Sequence, residues 1–453
     1  MRWLAILLAI LPAAAIAHAS ERMVILTLPT GWYMIGAAVV VFVTASAGRF
    51  ARHIPAYAPV ALFERPVIVP RTVTSWCGAV TLLGLVLIGI WGTRDPLANL
   101  LPLSIWTVLW VGLTLASVLF GNLWKDIEPW HGPVRALRRL LGRQGHFGLA
   151  RFGYWPAVAG CFAFAWFEIV SLSPADPYLL AHVVLGYYSV ILVLGVAEGE
   201  AWLDKGEFLT VYFGFVAKVS PFWAEERNSQ ITVQAGWPGA QILALKPLTT
   251  SAIAFVTLIL ASVSFDGLSE TFWWLGRIGI NPLEFPGRSA VMGINTAGLI
   301  LSWGLSAGLV LATIRIGLPD EKAFRAALGP MMLAFLPIAA GYHIAHYLIA
   351  LLTDGQYAIA ALSDPFASGQ NLLGLSQHWV SFGFLSTHGG VQAIWIAQFA
   401  VILGAHLLAV LLSLKVADRV GQAHRLTAHL PMTVLMVVYT VFGLWLLAAP
   451  AAG

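Results

Sequence analysis

About ten times along this chain, a run of roughly twenty apolar residues recurs, each long enough to cross a ~30 Å hydrocarbon layer as a helix. The runs lie near 30–48, 73–92, 100–120, 154–172, 178–200, 248–265, 289–314, 327–352, 390–414 and 431–449. Inside lipid every backbone N–H and C=O needs a partner within the protein, so only helices or closed barrels span. Runs of this length, without strict alternation, select helices. The fold class is therefore all-α, a polytopic transmembrane helical bundle. Composition agrees: charged residues make up 10% of the chain, against about 25% in soluble domains.

Met1 to Ala17 reads as a signal peptide, with Arg2, an apolar stretch and the small-residue pattern Ala15-Ile16-Ala17. Residues 18–453 then form a single membrane domain. Most of the 25 lysines and arginines fall in alternate short loops, which by the positive-inside rule orients both mature termini outward. The expected location is a bacterial inner (cytoplasmic) membrane, with periplasmic termini. The net charge of +4 is thus topology rather than a nucleic-acid footprint. Two connections are long. An inner insertion at 201–247 holds FLTVYFGFVAKV and then ITVQAGWPGAQI, whose alternation around Gly236 and Pro238 predicts a small hairpin. An outer loop at 353–389 carries Asp354, Asp364, His378 and His388 and suits a lid.

Ionisable groups inside a bilayer are expensive and mark sites. On this topology Glu168, His182, Asp266, His343 and His346 all lie towards the outer ends of their spans. His343 and His346 are three apart in Tyr342-His343-Ile344-Ala345-His346-Tyr347, so they share a helix face, with Cβ atoms about 5–6 Å apart. That spacing suits two imidazoles on one divalent metal, copper, zinc or iron, with Asp266, Glu168 or His182 completing the set. The bland alternative is hydrogen bonding to neighbouring helices. After cleavage His18 becomes the N-terminal residue, and its amine and imidazole can chelate copper. Glu200 and His406, buried deeper, form a candidate relay for protons or ions. Cys77 and Cys161 sit in apolar segments and read as packing. No P-loop, GxGxxG, nucleophile elbow or HExxH stands in a credible context.

The segments AWFEIV around Glu168, Glu200-Ala201-Trp202, Ser264-Phe265-Asp266-Gly267, His346-Tyr347, Ser363-Asp364-Pro365 and Gly443-Leu444-Trp445-Leu446-Leu447 resemble a family of bacterial multi-pass membrane proteins known as fenitrothion hydrolases. The resemblance implies cleavage of organophosphorus triesters. The leading expectation is a metal-dependent hydrolase facing the periplasm, with Asp266 and Glu168 catalytic and His343, His346, His182 and His18 on the metal. A transporter or metal-handling protein using the same outer cluster is the alternative, and a haem-binding anchor is a third. Membrane lipid and a small-molecule substrate are the expected partners. Any partner subunit stays unidentified by sequence.

Overall fold

A computed structural model describes residues 30–46, 59–227, 229–244, 247–376, 378–421 and 426–450. The signal-peptide segment 1–17 and His18 lie outside the described residues. The chain is an all-α polytopic bundle with one small sheet. In order it comprises α1 (Thr30–Ser46), β1 (Val60–Pro66), α2 (Arg71–Trp91) and α3 (Leu100–Phe120), then α4 (His131–Leu140), α5 (Trp155–Ile169) and α6 (Pro177–Glu198). The insertion contributes α7 (Phe208–Val216), β2 (Phe222–Arg227) and β3 (Gln230–Ala235). There follow α8 (Thr250–Ser269), α9 (Arg288–Gly317), α10 (Glu321–Leu333), α11 (Leu336–His346), α12 (Leu348–Ser363), α13 (His388–Arg419) and α14 (Leu426–Ala448).

Eight helical stretches among the described residues are long and apolar enough to cross a membrane; α1, α5, α7 and α12 are apolar but shorter. Nine of the ten apolar runs read from sequence fall on one helix each, while the run 327–352 is divided among α10, α11 and α12. The centre is formed by α8 and the stretch Glu321–His346, the two most buried spans. Around them α8 packs on α5, α9 and α11, and α11 packs on α13. Outer surfaces of α2, α6 and α9 leave Val80, Val193 and Leu301 exposed, as lipid-facing helices require.

Proline shapes the central stretch. Pro337 has no N–H to give and its ring would strike the carbonyl of Leu333 four residues back, so α10 stops at Leu333 and α11 restarts at Leu336. A second interruption falls at Tyr347 (φ −90°, ψ 8°), the bridge conformation between α11 and α12. In α3, Leu103–Gly112 winds as a π-helix, with the Leu113 N–H bonded to Val108 five residues back. Within it the Trp110 carbonyl accepts from two side chains, Thr114 Oγ1 at 2.6 Å and His343 Nε2 at 3.0 Å.

The sheet differs from the expected hairpin. ITVQA is the central strand β3, paired antiparallel with β2 on one edge and β1 on the other. The turn lies at Ser229 (φ 60°), before ITVQA, while Gly236 and Pro238 lead into a short helical turn at Ala240–Leu243. The outer loop is also shorter than expected, because α12 continues to Ser363 and takes Asp354 into a helix.

Candidate functional site

Two helices bring acids, and a third a histidine, to one end of the bundle. Glu168 is the penultimate residue of α5 and Asp266 lies three residues from the end of α8, both far from the ends where Tyr154 and Ser251 meet. His346 closes α11 and Tyr347 occupies the interruption after it. The Tyr347 hydroxyl stands 2.6 Å from Asp266 Oδ2 and 2.8 Å from Glu168 Oε1. His346 Nε2 lies 3.0 Å from the same Asp266 oxygen. One oxygen of Asp266 therefore receives both an imidazole and a phenol.

A hydroxyl carries one hydrogen. Tyr347 can donate to one carboxylate only, so its contact with the other carboxyl group needs a proton supplied by that group. The array is a shared-proton cluster: Glu168, Tyr347, Asp266 and His346 in series across three helices. It is not sealed, since 23% of the His346 side chain and 13% of Asp266 remain accessible. Glu270, one helical turn beyond Asp266, is exposed at the same end. Arg288 braces the site from α9, donating from Nη1 to the carbonyls of Glu168 and Ser171 at the end of α5.

Packing fixes the array. The Tyr342 ring stacks on His346 at 5.7 Å and 16°. Its hydroxyl fits against Gly267 so closely that a Cβ there would sit 2.0 Å away. The Tyr347 ring rests on His343 at 4.8 Å. One donor near the acids, the Tyr342 hydroxyl, is buried without a hydrogen-bond partner among the described residues.

The two histidines of the sequence motif part company. His343 points at the Trp110 carbonyl of α3 and His346 at Asp266 of α8, so their ring nitrogens do not address a common point. Among the described residues no three His, Cys, Asp or Glu side chains converge as a metal-binding group. His182 is exposed on α6, donating from Nδ1 to the Tyr178 carbonyl at 2.7 Å; its helix packs on α2 and α4, away from the cluster. His406 is buried in α13, its Nδ1 donating to Ile402 and its Nε2 without a partner among the described residues. Glu200 lies in the single turn after α6, which packs on α4 and α6, whereas α13 packs on α11, α14 and α1. Among the described residues neither element is a main packing neighbour of the other. His378 and His388 are exposed.

Sequence reasoning passed over Tyr347, although its place beside His346 signals it. It also missed a second polar network at the arginine-rich end. There Glu207, fully buried, caps α7: it accepts from Tyr187 Oη, Leu209 N, Thr210 N and Thr210 Oγ1. Trp124 Nε1 donates to Thr210 Oγ1 at 3.2 Å. Glu128 caps α4, accepting from the backbone of Trp130 and His131 and pairing with Arg71 at 3.4 Å. Burial pushes the Glu128 carboxyl up to about 7, against the opposing pull of the Trp130 N–H and Arg71. The signal was a Glu immediately before the apolar segment FLTVYFGFV for Glu207; nothing comparable marks Glu128, whose helix is arginine-rich.

Comparison with family models, with curated proteins and with solved structures finds no match to this chain.

Proposed function

We propose that the protein is a proton-coupled membrane carrier of a small molecule, with Asp266, His346, Tyr347 and Glu168 as its proton-exchanging site. On the positive-inside assignment that site faces the periplasm. The observation that carries the reading is the single Tyr347 hydroxyl bridging two carboxyl groups, one of them also paired to an imidazole. Such a group takes up or gives up one proton through small movements of a side chain. Its position at an interruption of a central helix suits a carrier, because broken helices hold coupling sites in many transporters. Carboxylate and histidine chains inside membranes mark proton relays.

The residues as arranged do not fit the expected metal, since the two imidazoles diverge and Asp266 is already occupied by His346 and Tyr347. Hydrolysis of an organophosphorus ester is the second reading. It rests on the resemblance and on the His346–Asp266 pair, a geometry that orients an imidazole for acid–base work.

The test uses liposomes holding the purified full chain and a pH dye, challenged with small cations, anions and neutral solutes one at a time. At least one solute should drive proton movement, and Asp266→Asn should reduce that movement at least tenfold while leaving the protein folded. Triester cleavage without proton movement, lost in the same variant, would replace the carrier reading with the hydrolase.

A further inference from the structure

Away from this cluster, the segment from His131 to Trp155 contains five arginines and no aspartate or glutamate. Helix α4 is clamped at one face. A Cβ on Gly132 would meet the Thr72 carbonyl at 2.7 Å and Trp76 at 2.9 Å, and Val134 fills the space beside Gly195. The helix thus lies fixed against the ends of α2 and α6. Arg138 is spent on this docking, donating from Nη1 to the Val196 carbonyl and from Nη2 to the Gly145 carbonyl.

The other face is different. Arg135 and Arg139 are exposed beside Leu140, 81% exposed, and Leu141, 65% exposed. The loop brings Phe147, 68% exposed, under the Arg143 guanidinium at 4.5 Å, and Arg151 lies over Phe152 at 4.8 Å. Among the described residues no carboxylate forms an ion pair with Arg135, Arg139, Arg143 or Arg151, and Arg143 Nε is buried without an acceptor. At the foot of α6, Glu198 is buried and accepts from Ala150 N.

We propose that this surface binds the headgroup of an anionic phospholipid. The guanidinium groups supply paired donors for a phosphodiester. Leu140, Leu141 and Phe147 are exposed beside these arginines, as Val190 and Val193 are on α6, and in this proposal they meet the acyl chains. A helix with an apolar edge and unpaired arginines at a membrane boundary fits an acidic lipid surface. Neither a free anion nor a polar protein surface accounts for the exposed leucines and phenylalanine. The site is independent of the carrier reading.

The test is native mass spectrometry of the full chain in detergent, titrated with phosphatidylglycerol, phosphatidylcholine or inorganic phosphate. Phosphatidylglycerol should be retained over phosphatidylcholine. The variant R135Q/R139Q/R143Q should bind phosphatidylglycerol roughly a hundredfold more weakly, at about fivefold per arginine. R135K/R139K/R143K keeps the charge but loses the paired donors, so it should bind between the wild type and the glutamine variant, which separates charge from folding. Millimolar phosphate should not compete. Equal retention by the glutamine variant, equal binding of phosphatidylcholine, or displacement by phosphate would each overturn the assignment.

Discussion

Gly267→Ala tests whether the Tyr342 ring is what holds His346 in place. The new Cβ would stand 2.0 Å from the Tyr342 oxygen and 3.1 Å from its Cζ, where ordinary contact needs about 3.4 Å or more. The hydroxyl has to retreat by more than 1 Å. Behind it the ring abuts Gly443 and is stacked on His346. Forced repacking of this kind costs about 1–3 kcal/mol. Membrane proteins commonly unfold irreversibly, so the readout is the rate of heat unfolding in detergent; a loss of ~2 kcal/mol expressed in that rate is about thirtyfold. Tyr342→Phe removes a buried hydroxyl that has no partner among the described residues, which should be neutral or stabilising by up to ~1 kcal/mol. In the double variant only the 3.1 Å contact remains, so most of the loss should be recovered. Gly293→Ala on α9 is the control, because nothing lies within 4 Å of its Cβ position. Unfolding of Gly267→Ala at the wild-type rate, or absence of rescue by Tyr342→Phe, would refute the packing argument.

Tyr347→Phe deletes the bridge between Glu168 and Asp266 and should lower solute-driven proton movement in liposomes as much as Asp266→Asn does; a Phe variant with wild-type movement would remove the hydroxyl from the mechanism. His343→Gln should cost stability, ~1–2 kcal/mol for the lost bond to the Trp110 carbonyl, while per-molecule activity of the folded fraction is kept. Glu128 gives a pH dependence of definite sign. Its folded value, about 7, lies above the ordinary 4.5, so its stabilising contribution is complete below pH 4.5 and is lost as pH rises through 7. Heat stability of the wild type should therefore fall between pH 5 and 8, and Glu128→Gln should flatten that slope; an unchanged slope would assign the pH response to other groups.

The helices were legible because burial in lipid writes itself as uninterrupted apolar length. The sheet was not. A glycine–proline pair looks like the stronger turn, yet the chain reverses at Ser229, and the outer partner β1 precedes β3 by most of four spans, a distance no local pattern encodes. At the site, the depths of Glu168, Asp266 and His346 could be read from their positions within apolar runs. Which neighbour each histidine would choose could not. Residues three apart on one helix share a face, but the ring of His343 turned towards the Trp110 carbonyl in the π-helical part of α3, and His346 turned towards α8. Tyr347 hid because a tyrosine near a span end usually belongs to the interfacial belt. Glu200 and His406 had suitable depths, yet sit on elements that are not main packing neighbours among the described residues.

The three-stranded sheet also has a history in time. Glu64 in β1 faces Thr232 in β3, 168 residues further along the chain. At a ribosome moving ~5–20 residues per second, β1 emerges on the order of ten seconds before β3 exists. Throughout that interval Val60, Leu62 and Phe63 form an unpaired strand while four or so spans are still being threaded into the bilayer. A nascent chain arrested before residue 230 should therefore expose β1 to proteolysis, and release of about ten further residues beyond the exit tunnel should protect it.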